Sequence, residues 1–410
     1  MRILWLSHLV PYPPKGGVQQ RSYNLIRELS RHHQVDVVAF HQAAHHADTA
    51  TLQHAIEHMN GFCRLRTVLP LPVDGGRWRK PLLAVRALAG QTYTVRWTQC
   101  EHYGAAVQQA LADTQYDAVH FDTISLAPYA QLPGPMRALP RLMNHHNIES
   151  AMLLRRAELE QQPLRAWYYR QEGQRLAQYE KQVAGQFAAH LVCSALDGER
   201  LQAQCGSTLK TEVIPNGVDT DYFRRDPSAP AAPPQSLVFA GRLDWYPNAA
   251  AMRWCINELW PLIKAQRPQA RIAIVGKAPG AQLLQAAAGD TAVTVPGFVD
   301  DVRTWIQGAQ VYFCPITDGG GTKLKILDAL AMGCAIVAHP IACEGIDVTD
   351  GKNVLLADTA EGLVAHCLRL FDDAALRTQL STAAVDLAES TYTFRSIGNK
   401  LAGVYSHYSG

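Results

Sequence analysis

Short apolar runs alternate with longer amphipathic stretches along most of the chain. RILWLSH (2–8) is followed by a helical pattern near 17–31 and then VDVVAF (35–40). Further runs are DAVHF (117–121), HLVCS (190–194), SLVFAG (236–241), RIAIVG (271–276), VTVPGF (293–298), VYFCPI (311–316) and CAIVAH (334–339). These runs are continuously hydrophobic rather than alternating, which predicts strands covered on both faces, as in a parallel sheet with crossover helices. The pattern breaks at RRDPSAPAAPPQ (224–235), where proline, alanine and serine replace any period and predict a linker or surface loop. The expected architecture is α/β: two doubly wound, Rossmann-like domains at roughly 1–208 and 209–390. An amphipathic terminal helix over 391–410 is expected to pack back on the first domain.

Length and composition narrow the picture. At 410 residues and 48% hydrophobic, the chain exceeds one ordinary core. A net charge of only +2 argues against nucleic acid as a partner, so any anion site must be local. The nine cysteines are scattered, with no CxxC, which predicts reduced, mostly buried thiols and a cytoplasmic setting. MRILWLSHLVPYP reads as a first strand rather than a signal peptide. No stretch approaches the ~18 apolar residues that span a bilayer.

The most informative stretch is PITDGGGTKLKILDALAMG (315–333), a strand end, three glycines and a helix in that order. Glycines let successive N–H groups approach an anion, and the helix N-terminus adds about half a positive charge. Lys323 and Lys325 oppose the macrodipole unless an anion sits nearby, and Asp328, a turn further on, suits vicinal hydroxyls such as those of a ribose. Phosphate plus diol points to a nucleotide. The plainer alternative is a glycine turn with solvated lysines and a surface aspartate.

Several motifs, in order, resemble the retaining glycosyltransferases of family 4, which have the two-domain GT-B fold with a cleft between the domains. They are RILWLSH with PYPPKGGVQQRSYNLIREL, NHHNIESAM (144–152), VCSALDGERL (192–201), VIPNGVDTDYF (213–223), FAGRLDWYPN (239–248), VPGFVDDVRTWI (295–306) and the glycine-lysine stretch. The GGGTKLKILDALAMG form is most similar to a bacterial subgroup that builds surface polysaccharides. The resemblance implies roles residue by residue. Gly16 and Gly17 match the loop that approaches donor sugar and acceptor; His146, beside His145, matches a histidine near the reacting sugar. Arg242 matches the arginine on the donor diphosphate, Phe298 and Val299 the loop that contacts the base through its backbone, and Asp328 the ribose-binding acid. Gly320, Gly321, Thr322, Lys323 and Leu324 form the implied phosphate loop.

Two departures stand out. Gly320 occupies the position of an acid the family often carries, with Asp318 out of register, and Pro247 stands where the family has a lysine. Lys325 is the favoured replacement, since Lys323 takes a glycine position. The implied activity is metal-independent, retaining transfer of a hexosyl group, without a cofactor, from a UDP- or GDP-linked sugar to a glycan or lipid-linked acceptor. A nucleotide-sugar epimerase on the same fold and a non-catalytic nucleotide-sugar-binding scaffold are the alternatives.

Other signals weigh less. Asp219-Thr220-Asp221 looks like a metal-binding DxD but sits in a turn, and HAIEH (54–58) fits a zinc pattern only over five letters. GGVQQR is not the GxGxxG of a nicotinamide enzyme. RWRKPLLAVRALAGQTYTVRW (77–97) is basic and amphipathic, which suits either peripheral contact with the inner face of a membrane or packing on the first sheet.

Overall fold

The computed structural model describes residues 1–46, 48–74 and 92–408. Most of the basic stretch 77–97 therefore lies outside the described residues.

Two compact units are present. The first comprises Met1–Pro215 with Phe394–Gly410, and the second Asn216–Thr393. The first unit's sheet has seven parallel strands in the order β3-β2-β1-β4-β5-β6-β7. They are β1 (Arg2–Ser7), β2 (Gln34–His41), β3 (Arg64–Pro70), β4 (Ala118–Phe121), β5 (Arg141–Asn144), β6 (Ala189–Val192) and β7 (Thr211–Val213). Along β1, Ile3 and Trp5 face one core and Leu4 and Leu6 the other, so alternate residues of one apolar run are buried on opposite sides. This double coverage is why the strand shows no hydrophobic alternation.

The first unit extends past the boundary at 208 because Thr211–Val213 pairs in parallel with β6. Arg21 fixes the exit of the chain, its Nη1 donating to the carbonyl of Pro215 at 3.0 Å. The terminal helix Phe394–Tyr408 lies against the helix Gly17–Leu29, where a Cβ at Gly398 would come 2.3 Å from Cβ of Glu28. Tyr405 and Tyr408 tie it down through His120 and Glu212.

The second unit's sheet has six strands in the order β10-β9-β8-β11-β12-β13: β8 (Ser236–Ala240), β9 (Arg271–Val275), β10 (Val293–Gly297), β11 (Val311–Cys314), β12 (Ala335–Ala338) and β13 (Leu355–Leu356). All its pairings are parallel. The proline-rich stretch 224–235 is an exposed loop inside this unit. In each sheet the strand order reverses at one place, β1 beside β4 and β8 beside β11, and the loops after those strands are where an open parallel sheet holds ligands.

Candidate active site

In the second unit, β11 runs into residues 315–323 and then the helix Leu324–Ala331. Gly319 and Gly321 have φ of +100° and +69°, a region that side chains avoid, so the turn needs glycine at both. A Cβ on Gly319 would also reach 3.0 Å from Cγ of Pro247. Lys323 is the helix N-cap, and its side chain caps nothing. Its ammonium turns back to donate to the carbonyls of Gly319 and, at 3.1 Å, Gly321. Oγ1 of Thr322 is buried with no hydrogen-bond partner.

Lys325 is differently placed. Its chain passes the ring of Phe239, with Nζ 4.6 Å from the centroid, and donates at 2.6 Å to Oδ1 of Asn248. Nδ2 of Asn248 in turn donates at 2.7 Å to the carbonyl of Arg242. A Cβ on Gly241 would sit 2.6 Å from that Nζ, so the glycine makes room for the lysine. Burial pulls Lys325 down to about 8, and it pushes Asp328 up to about 8 against the attraction of Lys325. Arg242, by contrast, is exposed and holds Asp244 through two bonds of 3.0 and 2.7 Å. Phe298 is exposed at the end of β10, with Val299 packed on the core beneath.

The first unit carries a second cluster at the carboxyl ends of β1, β4 and β5. Asp122, fully buried, is its hub. Ser22 donates to Oδ2 at 2.8 Å and Asn144 to Oδ1 at 3.3 Å. Nδ1 of His8 lies 3.6 Å from Oδ2, while Nε2 of His146 and of His120 lie 3.4 and 3.8 Å from Oδ1. Burial alone would raise Asp122; the combined pull of the histidines overrides it and holds the carboxyl well below its usual range. Burial lowers His146, opposed by Asp122, and takes His120 down to about 4.

Of the two adjacent histidines, His146 faces Asp122. His145 turns away, pairing its Nε2 with Nδ1 of His190 at 2.9 Å. Gly16 is the extended N-cap of the helix starting at Gly17; a Cβ there would meet Oε1 of Gln19 at 2.2 Å. One turn on, Ser22 touches Asp122, and Arg21 donates to Oδ1 of Asn144 at 2.9 Å, so the glycine loop is joined to the histidine cluster.

The sequence-predicted residues thus fall into two groups. Arg242, Gly320, Gly321, Thr322, Lys323, Leu324, Lys325, Asp328, Phe298 and Val299 belong to the second unit, and Gly16, Gly17 and His146 to the first. Sequence reasoning missed Asp122, His8, Asn248 and Gly241. Asp122 and His8 had one signal: each directly follows an apolar strand at the sheet's carboxyl edge. His8, Asp122 and His146 also present ligand-type atoms within 4.8 Å of one another. The DxD-like turn is self-contained, Oδ1 of Asp219 accepting from the N–H groups of Asp221 and Tyr222. In HAIEH, His58 stacks on Tyr12 and bonds the hydroxyl of Tyr23 at 2.9 Å.

The sequence profile of Glycosyltransferase Family 4 matches residues 15–222, about half of the chain, and that of Glycosyl transferases group 1 matches 234–373. The chain belongs to glycosyltransferase family 4. A phosphatidyl-myo-inositol mannosyltransferase of Mycolicibacterium smegmatis is 27% identical over 205 residues, covering 48% of this chain and 52% of that protein. The chain spans about half the length of the curated relatives it matches. Among solved structures, Anabaena HepE in complex with UDP superposes with a TM-score of 0.65 at 17% identity over 99% of this chain and 100% of that one. WaaG, a glycosyltransferase involved in lipopolysaccharide biosynthesis, superposes with a TM-score of 0.63 at 15% identity, over 98% and 99%. These neighbours share the GT-B arrangement of two Rossmann-like domains, and the family 4 chain has that fold.

Proposed function

We propose that this family 4 protein transfers a hexosyl group from a nucleoside-diphosphate sugar, UDP- or GDP-linked, to a hydroxyl of a glycan or lipid-linked saccharide in bacterial surface polysaccharide synthesis. The observation that carries the reading is Lys325, on the first turn of the helix that follows the glycine loop and held by Asn248, which also bonds the backbone of Arg242. Pro247 removes the family's usual lysine, and Lys325 brings a replacement ammonium to the same turn. The similarity to a protein named for phosphatidylinositol mannosylation supports a lipid acceptor, and that to WaaG supports a surface glycan.

In this reading the second unit binds the donor. Lys325, Arg242 and the helix amides hold the diphosphate, Asp328 accepts from the ribose hydroxyls, and the backbone at Phe298–Val299 meets the base. The bond between the anomeric carbon and the phosphate oxygen breaks, and the developing negative charge on the departing diphosphate is met by the two cations. The acceptor oxygen bonds the anomeric carbon from the same face, its proton passing to the leaving phosphate oxygen, so configuration is retained. His146, backed by Asp122, contacts the donor sugar. No metal takes part.

The test is a thermal-shift screen of the protein with UDP, GDP, ADP and TDP and their sugar conjugates, with and without EDTA. A nucleotide at about 100 times its dissociation constant adds ~2.7 kcal/mol of stability. Selective stabilisation by one nucleotide, unchanged by EDTA and lost in Arg242→Ala, is expected. No stabilisation by any of them at saturating concentration refutes the donor site and leaves a scaffold role in front.

A further inference from the structure

The carboxyl ends of β1, β4 and β5 bring two imidazoles and one carboxylate to a single point. β4 pairs with both β1 and β5, so His8, Asp122 and His146, each within two residues of its strand's end, come side by side. Nδ1 of His8 lies 3.6 Å from Oδ2 of Asp122, and Nε2 of His146 lies 3.4 Å from Oδ1. The two imidazole rings stand edge to face, with 5.9 Å between centroids and 68° between planes. One ligand-type atom from each of the three residues falls within 4.8 Å of the others.

Hydrogen bonding leaves this arrangement unfinished. His8 is only 7% exposed, yet among the described residues its Nδ1 has no hydrogen-bond partner, and 3.6 Å is too long for a bond to the carboxylate. A buried nitrogen left in that state is costly, and an ion held between the three groups removes the cost. With zinc–nitrogen and zinc–oxygen bonds of about 2.0–2.2 Å, ligands in a tetrahedron lie about 3.3–3.6 Å apart. The two observed separations are of that size. The carboxylate is also oriented from outside, accepting from Ser22 at 2.8 Å and Asn144 at 3.3 Å, as the outer hydrogen bonds of a metal site orient its ligands. His8 and His146 keep a small edge open to solvent, which gives an ion a way in.

We propose that His8, Asp122 and His146 form a site for one divalent transition-metal ion, with zinc the best match and water in the fourth position. Two imidazoles disfavour Mg²⁺ and Ca²⁺, which take oxygen ligands. The inference goes beyond the transferase reading, in which no metal takes part. An ion here occupies Nε2 of His146, so it blocks that reading's contact with the donor sugar instead of joining the reaction. Metal binding is measured without nucleotide, so its failure and that of the donor site are read separately.

The experiment titrates the metal-free, untagged full chain with Zn²⁺ in a calorimeter and with Co²⁺ followed by ligand-field absorption. One ion per chain is expected, with the intense Co²⁺ bands of a four- or five-coordinate site and no binding of Mg²⁺. His8→Ala should weaken the site about a hundredfold or more, and Ser22→Ala, which removes only a bond to the carboxylate, about tenfold. Melting of each metal-free variant shows that it folds. His54→Gln with His58→Gln, on the helix Thr49–Asn60, should bind as the parent does. The proposal is overturned if no ion binds at micromolar Zn²⁺, if His8→Ala and Ser22→Ala both bind as tightly as the parent, or if only the His54/His58 variant loses the ion. The weak Co²⁺ spectrum of an octahedral, mostly hydrated ion overturns it too.

Discussion

Replacing Lys325 with methionine separates the cost of the empty site from its use. In the folded protein burial takes this lysine from 10.5 down to about 8, so a charged Lys325 opposes folding by no more than about 3 kcal/mol, and by less where water reaches the ammonium. The sign follows from proton counts. Between about 8 and 10.5 the unfolded chain holds the proton and the folded chain releases it, so stability recovers as pH rises through that window and the full cost is present below it. Methionine keeps the contact with Phe239 and removes the charge, at the expense of the bond to Asn248, worth about 1.5–3 kcal/mol as a charge-assisted pair. At neutral pH the unliganded variant should therefore melt within a few degrees of the parent or above it. Its nucleotide affinity should fall about tenfold to about a hundredfold, the worth of one ammonium–phosphate hydrogen bond. Differential scanning calorimetry without ligand and titration calorimetry with the best nucleotide read the two effects. Parent-like nucleotide affinity in Lys325→Met would refute the assignment of Lys325 as the replacement cation, and Lys323→Met, whose ammonium is occupied by loop carbonyls, is the comparison.

Two further outcomes are expected. Nucleotide affinity needs Lys325 charged, which weakens binding as pH rises through about 8, and Asp328 ionised, which strengthens it over the same interval. Titration calorimetry across pH should show Lys325→Met retaining only the rising limb and Asp328→Asn only the falling one; identical profiles in both variants would contradict the pairing. Asp122→Asn removes the charge that His8, His120 and His146 face. It should leave nucleotide affinity within about twofold, lower turnover about a hundredfold as the orientation of His146 is lost, and cost about 2–3 kcal/mol of stability. Unchanged turnover would remove the cluster from the reaction.

Strands were legible in the sequence where both faces are buried, and much less so elsewhere. β1, β2, β8 and β11 are mostly apolar, each with an unbroken run of at least four buried residues, and read at once. β3, with a residue sequence of RLRTVLP, is never fully buried at any position, because it is the sheet's edge and its arginines and threonine dilute the run. β7 and β13 have three and two residues, too few for any period, and β7 lies just past the expected boundary at 208. The glycine-lysine loop was legible because its chemistry is contiguous. Asp122 and His8 were not, being single polar residues more than a hundred positions apart that only the adjacency of β1 and β4 brings together. Nor does spacing show that Gly241 clears space for Lys325, a contact across 84 positions of sequence made by the pairing of β8 with β11.

The same topological rule accounts for both clusters. Each lies at the carboxyl ends of the two strands where its sheet reverses order, and each has been given the opposite electrostatic character. In the second unit Arg242 is already paired with Asp244, whereas Lys325 bonds the neutral amide of Asn248 and burial pushes Asp328 up to about 8, so in the proposed reading Lys325 is the cation left for a diphosphate. The first unit supplies a fully buried carboxylate with three imidazoles about it, so its charge is already answered and it has little to offer a phosphate. What it offers is a histidine of fixed orientation, His146, at the sheet edge. A division of this kind implies that variants of the second unit act on affinity for the nucleotide and variants of the first act on turnover. It also implies that a double variant, Lys325→Met with Asp122→Asn, combines the two losses additively, since the residues share no partner.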